Sequence, residues 1–128
     1  MATIKSYSDL QQSKKLAEIL PIESADMGWN VFVDDTTRIL PINDWDLVKD
    51  GSGNVKFYHA WSLTALLGVL PYPSLHKTFS GWCCDSYNKE RMSCILGESA
   101  DNPIDACYEL IVKLHELKML WWLWKQKI

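Results

Sequence analysis

One segment constrains the fold more than any other, the stretch from Asp101 to Lys118. Asn102 is a good N-cap, Pro103 suits the first helical position, and Asp105 puts a negative charge in the first turn. Ile104, Cys107, Leu110, Ile111, Leu114, Leu117 and Trp121 then recur at helical spacing along one stripe. Asp105, Glu109, Lys113 and Glu116 lie on the other side, with Glu109 and Lys113 ordered for an i, i+4 ion pair. The spacing predicts a helix over Pro103–Lys118. A stripe of this length needs an apolar surface to cover it, and the rest of the chain must supply one.

Two shorter helices have their own start and stop signals. Ser8-Asp9-Leu10-Gln11 has the form of a capping box, with Ser8 as N-cap and Gln11 at N3, and Pro21 ends the pattern. This predicts a helix over Asp9–Leu20. Ser62 caps a second helix over Ser62–Leu70, which Pro71 stops. Lys15–Pro21 and Ala65–Pro71 echo one another, each a helix closed by Leu-Pro. The echo fits a duplication, and it equally fits two unrelated short helices stopped by proline.

The remaining apolar residues read as strands. Ala25, Met27, Trp29, Val31 and Val33 alternate with small or polar residues, the period of a strand with one covered face. Phe32 implies partial cover on the other face. Arg38–Ile42 forms a return strand placed at an edge by Pro41. Trp45–Val48 and Val55–Tyr58 are short apolar runs around the loop Lys49–Asn54. Thr78–Ser86 and Arg91–Glu98 form a hairpin around Tyr87-Asn88-Lys89-Glu90. Setting Cys84 opposite Cys94 would place Trp82, Cys84, Met92, Cys94 and Leu96 on one face. Short turns between consecutive strands favour antiparallel pairing. The expected architecture is α+β: a small antiparallel sheet with three helices packed on it, one domain over residues 1–118, and a Trp-rich C-terminal tail over residues 119–128.

Composition narrows the functional classes. With 128 residues, 48% hydrophobic and 23% charged, the chain can bury about two-thirds of its unfolded surface without metals or disulfides. A net charge of −3 gives no positive field to gather nucleic acid, so none is expected as a partner. The N-terminus shows no apolar signal-peptide stretch, and no apolar run approaches the ~20 residues of a spanning helix. A cytoplasmic protein is expected. Cys83, Cys84, Cys94 and Cys107 then default to reduced thiols, able to oxidise on storage if Cys84 meets Cys94 across the hairpin. They contain no CxxC spacing, so no metal and no cofactor is expected.

Other chemistry is weakly signalled. Asp50–Asn54 fails the calcium-loop pattern, which wants glycine and glutamate where Val55 and Trp61 stand. Gly97-Glu98-Ser99-Ala100 begins like a nucleophile elbow, but Asp101 replaces the second glycine, and the segment reads as a connector. Asp34 with Asp35, Asp44 with Asp46, and Glu23 with Asp26 read as turn and surface charge. The histidines are His59, His76 and His115; only His76 lies near a cysteine in sequence, seven residues before Cys83. No catalytic residue is assigned.

Seven tryptophans are the compositional oddity. Trp29, Trp61 and Trp82 suit core positions. Trp121, Trp122, Leu123 and Trp124 do not fit on one small helix face and are the candidate partner-binding residues, with Lys125 and Lys127 close behind. A symmetric homodimer through this tail is the favoured expectation. Fold-back within one chain and anchoring at a membrane interface are the alternatives.

Ser13–Met27 (SKKLAEILPIESADM), Ala60–Pro71 (AWSLTALLGVLP) and Asp101–Leu114 (DNPIDACYELIVKL) together resemble a group of small uncharacterised proteins. These are encoded on prophages and conjugative elements of gut Bacteroidetes. The similar segments are helix caps and core stripes covering about a third of the chain, in the same order, and the group stops soon after the last helix where this chain adds Trp121–Ile128. The resemblance implies a cytoplasmic accessory protein of a mobile element, with no site residues to carry over. The functional expectation is therefore a non-enzymatic accessory protein acting through contact with an unknown protein partner. The alternative is a small enzyme or ligand-binding protein with a pocket against the sheet.

Overall fold

The structure, a computed structural model, describes residues 5–31, 37–41, 56–87 and 94–120. Along the chain it forms helix α1 (Leu10–Ile19), strands β1 (Met27–Val31), β2 (Thr37–Pro41) and β3 (Lys56–Ala60), helix α2 (Leu63–Val69), strands β4 (Pro73–Thr78), β5 (Gly81–Tyr87) and β6 (Cys94–Ala100), and helix α3 (Pro103–Glu116). The fold is α+β, and among the described residues all pairing is antiparallel and the strands divide into two three-stranded sheets ordered β2-β1-β3 and β4-β5-β6. The stretches around Phe32, Asp34, Asp44 to Val48 and the loop Lys49–Asn54 lie outside the described residues, as do Asn88 to Met92.

The helices stand where their caps put them. Asn102 accepts the Asp105 backbone N–H at 2.9 Å, and Pro103 follows it. Ser62 accepts from the Ala65 backbone at 3.2 Å. The first cap lies one residue later than Ser8. Asp9 accepts from the Gln12 backbone at 2.8 Å, and Gln12 Oε1 accepts from the Asp9 backbone at 3.1 Å. Ser8 is engaged elsewhere: buried, it accepts the Trp61 backbone N–H at 3.1 Å, pairs with the Ser13 hydroxyl at 2.7 Å, and donates its own N–H to the Trp61 carbonyl. Asp26, at the surface as expected, accepts the Ser62 backbone N–H at 2.8 Å.

Helix α3 packs on β5 and β6 and also meets α2 and α1, while α1 packs on β3. The core gathers Leu16, Ile19 and Leu20, then Trp61, Leu66 and Leu70, then Cys84, and the stripe Ile104, Cys107, Leu110, Ile111 and Leu114. Leu117 does not extend that stripe; it is 50% exposed. The helix closes at Glu116 because Lys118 takes the left-handed conformation (φ 59°). Met119 N–H then bonds the Leu114 carbonyl and Lys118 N–H the His115 carbonyl, the paired bonds of a Schellman motif. That turn redirects the chain and drives Leu120 into the core. Trp121 lies, with the rest of the tail, outside the described residues.

Strand β1 differs from its pattern in one respect. Trp29 lies on the α1 side, donating its indole N–H to the Ser8 carbonyl at 2.9 Å, with the Tyr7 ring edge-on at 5.6 Å. Yet the more deeply buried residues are Gly28 and Asn30, on the opposite face. Both faces of β1 are covered, which a single alternating pattern does not express. The Leu-Pro echo survives at the helix ends, where the N–H groups of Leu20 and Leu70 bond the Leu16 and Leu66 carbonyls. It does not extend to the sheets: the first strand after α1 is central, whereas the first after α2 is at an edge.

A charged clasp joins α1 to α3. Lys5 Nζ lies 3.0 Å from Asp9 and 2.9 Å from Asp105, and Gln12 Nε2 donates to Asp105 at 2.7 Å. Burial alone would raise the Asp105 carboxyl, but hydrogen bonds from Lys5, Gln12 and Asn102 outweigh it and hold the group below its ordinary value. A lowered carboxyl stabilises the fold above its unfolded pKa and loses that contribution as pH falls through the folded value. Asp105→Asn should cost about 1 kcal/mol at neutral pH, after allowance for partial solvent screening. In urea titrations at decreasing pH the gap between variant and parent should close only below about 4.

Candidate functional site

The sheet β4-β5-β6 has an inner face against α3 and an outer face turned from it. Cys84 marks the inner face, its sulfur 3.5 Å from that of Cys107 on α3. The hydrogen bond with Cys107, together with burial, pushes the Cys84 thiol well up, so Cys84 is a protonated part of the core. Successive strand residues alternate faces, which puts Cys83 and Asp85 on the outer side. Antiparallel partners share a face, and the register sets His76 of β4 directly across from Cys83, with Ser74 across from Asp85. On the other flank, Ser99 and Gly97 of β6 stand across from Cys83 and Asp85.

This arrangement brings His76, Cys83 and Asp85 together. The Cys83 thiol donates to Asp85 Oδ1 at 3.3 Å, and His76 Nδ1 lies 3.8 Å from Asp85 Oδ2. The ligand-type atoms of all three lie within 4.8 Å of one another. Asp85 is the sheltered member, its side chain 14% exposed, while His76 is 49% exposed. Gly97 makes the shelter possible: a Cβ there would stand inside contact distance of the Asp85 carboxylate. Burial, then the hydrogen bond to Asp85, pushes the Cys83 thiol up, with a weaker opposing bond from Ser99. A nucleophilic cysteine needs the reverse, a lowered thiol pKa. At one end of the same sheet, Tyr72, Pro73, Ser74 and Tyr87 line a cleft of about 300 Å³, at the small end of the range for ligand sites.

The other sequence candidates separate. His59 lies in β3 of the first sheet, where burial lowers its imidazole, and His115 is exposed near the end of α3. Cys94 faces Tyr87, and Cys84 faces Glu98. The hairpin register that would bring Cys84 to Cys94 is therefore corrected, because β6 runs to Ala100 and pairs four residues further along. Gly97 to Ala100 are strand, not connector. Trp121, Trp122, Leu123 and Trp124 lie outside the described residues. Spacing along the chain sets His76 seven residues before Cys83 but does not reveal the cluster with Asp85. The usable signal was Cys-x-Asp in a strand, with His76 brought opposite by the two-residue turn Phe79-Ser80.

Compared with known proteins, the chain matches no family model, no curated protein and no solved structure. Among the described residues, no helix is long and apolar enough to cross a membrane.

Proposed function

We propose that this chain is a non-enzymatic cytoplasmic accessory protein that acts by protein–protein contact, and that it pairs with a second copy through Trp121, Trp122, Leu123 and Trp124. The observation that carries this reading is the end of α3. Leu114 and Leu120 complete the buried stripe, Leu117 stays half exposed, and the four large apolar residues begin immediately after Leu120. Large apolar residues in succession, more than a small domain can cover on one helix face, mark association sites, and closed two-fold pairs are the commonest assemblies. Free thiols suit a reducing compartment, and the raised Cys83 thiol argues against nucleophilic catalysis on the second sheet. The resemblance of the helix segments to mobile-element proteins supports an accessory role in such an element.

Sedimentation equilibrium tests the pairing. The full chain should sediment at twice its 14.7 kDa mass, and a chain ending at Leu120 at the single mass with an unchanged far-UV spectrum. A full chain that stays monomeric at high concentration, or a truncated chain that still pairs, would contradict the reading.

A further inference from the structure

We propose that His76, Cys83 and Asp85 form a binding site for a divalent zinc-class cation on the outer face of the second sheet. The donor set is imidazole nitrogen, thiolate sulfur and carboxylate oxygen, the set that zinc uses. With zinc bond lengths of 2.0–2.3 Å, tetrahedral ligand atoms lie about 3.3–3.6 Å apart. The observed separations are 3.3 Å from Cys83 Sγ to Asp85 Oδ1 and 3.8 Å from His76 Nδ1 to Asp85 Oδ2, and the ligand atoms of the three residues all lie within 4.8 Å of one another. The exposed His76 is the ligand with room to adjust.

The surroundings are arranged for these three groups. Two ligands sit two residues apart in β5, so the strand fixes their side and spacing, and the third sits at the directly paired position of β4. Gly97 leaves the space that the Asp85 carboxylate occupies. Ser99 stands directly across from Cys83 in the register, in the place of an outer-shell group for a zinc thiolate. Three protein ligands leave one position open to solvent, the pattern of an exchangeable rather than a structural site. On binding, the Cys83 S–H bond breaks, its proton passes to solvent, and the sulfur–metal bond replaces it. Spacing along the chain shows no such set of ligands; the pairing of β4 with β5 brings it together.

Cobalt(II) titration of the reduced full-length protein tests the site. One cobalt ion per chain should bind with a thiolate-to-cobalt charge-transfer band, and zinc should bleach it. Cys83→Ser should abolish the band, and His76→Ala should weaken zinc binding by more than the roughly 10–100-fold typical of losing an outer-shell partner. Cys94→Ser should leave the band in place, and far-UV spectra confirm that each variant folds. No thiolate band in a large excess of cobalt, or a band that persists in Cys83→Ser, would overturn the proposal.

Discussion

Trp61→Ala should destabilise the protein by about 3–5 kcal/mol, enough to remove much of the 5–15 kcal/mol a domain of this kind possesses. Trp61 is the largest fully buried side chain in the core. Its backbone N–H and carbonyl are both held by Ser8, and its indole N–H donates to the Ser24 hydroxyl at 2.9 Å. The residue thus ties the N-terminal segment, the turn before β1 and the start of α2 to one point. Truncation to alanine leaves a cavity among Leu16, Leu66 and their neighbours that a close-packed interior cannot fully collapse. Trp61→Phe retains most of the volume and loses the indole hydrogen bond, so it should cost only about 1–2 kcal/mol. Urea midpoints at unchanged slope separate the two losses.

Gly81→Val is expected to cost about 2–4 kcal/mol, from backbone strain and overpacking together. Gly81 has φ 155°, in the region that L side chains rarely adopt, and closes the two-residue turn between β4 and β5. A Cβ at this position would lie 2.5 Å from the Ala100 carbonyl oxygen. Ala100 is the last residue of β6, and Asn102, the cap of α3, is two residues on. Pushing β6 aside therefore disturbs the helix start as well as the sheet. Gly68→Ala is the matched control: it lies within α2 with nothing within 4 Å of the new Cβ, and should stabilise by about 0.5–1 kcal/mol. Thermal or urea melts of the three proteins give opposite signs for the two glycines.

The helices were legible because their signals are local. Asn102-Pro103, Ser62 and the two Leu-Pro stops act within a turn of the residues they control, and each bounds a helix within two residues of its expected limit. Strand existence was legible for β1 and β5, which carry alternating residues. It failed for β4, whose sequence PSLHKT offers a single large aliphatic residue, Leu75, to the core. Register and sheet number were not legible at all, because they depend on pairings between residues far apart. The same limit hid the candidate metal site: His76 gains its neighbours only when β4 pairs with β5. The return of Leu120 to the core is not legible, because no rule of periodicity places a left-handed turn at a lysine, Lys118.

The contact reading is tested most directly by the indole N–H signals in ¹⁵N–¹H spectra recorded over a dilution series. Trp29 and Trp61 donate their indole N–H groups to Ser8 and Ser24 inside the fold and provide fixed references. Dilution should shift or narrow the signals of Trp121, Trp122 and Trp124 as the pair dissociates, while those two stay in place. Tail indole signals that do not change with concentration, or changes confined to residues of the second sheet, would contradict association through the C-terminal tryptophans.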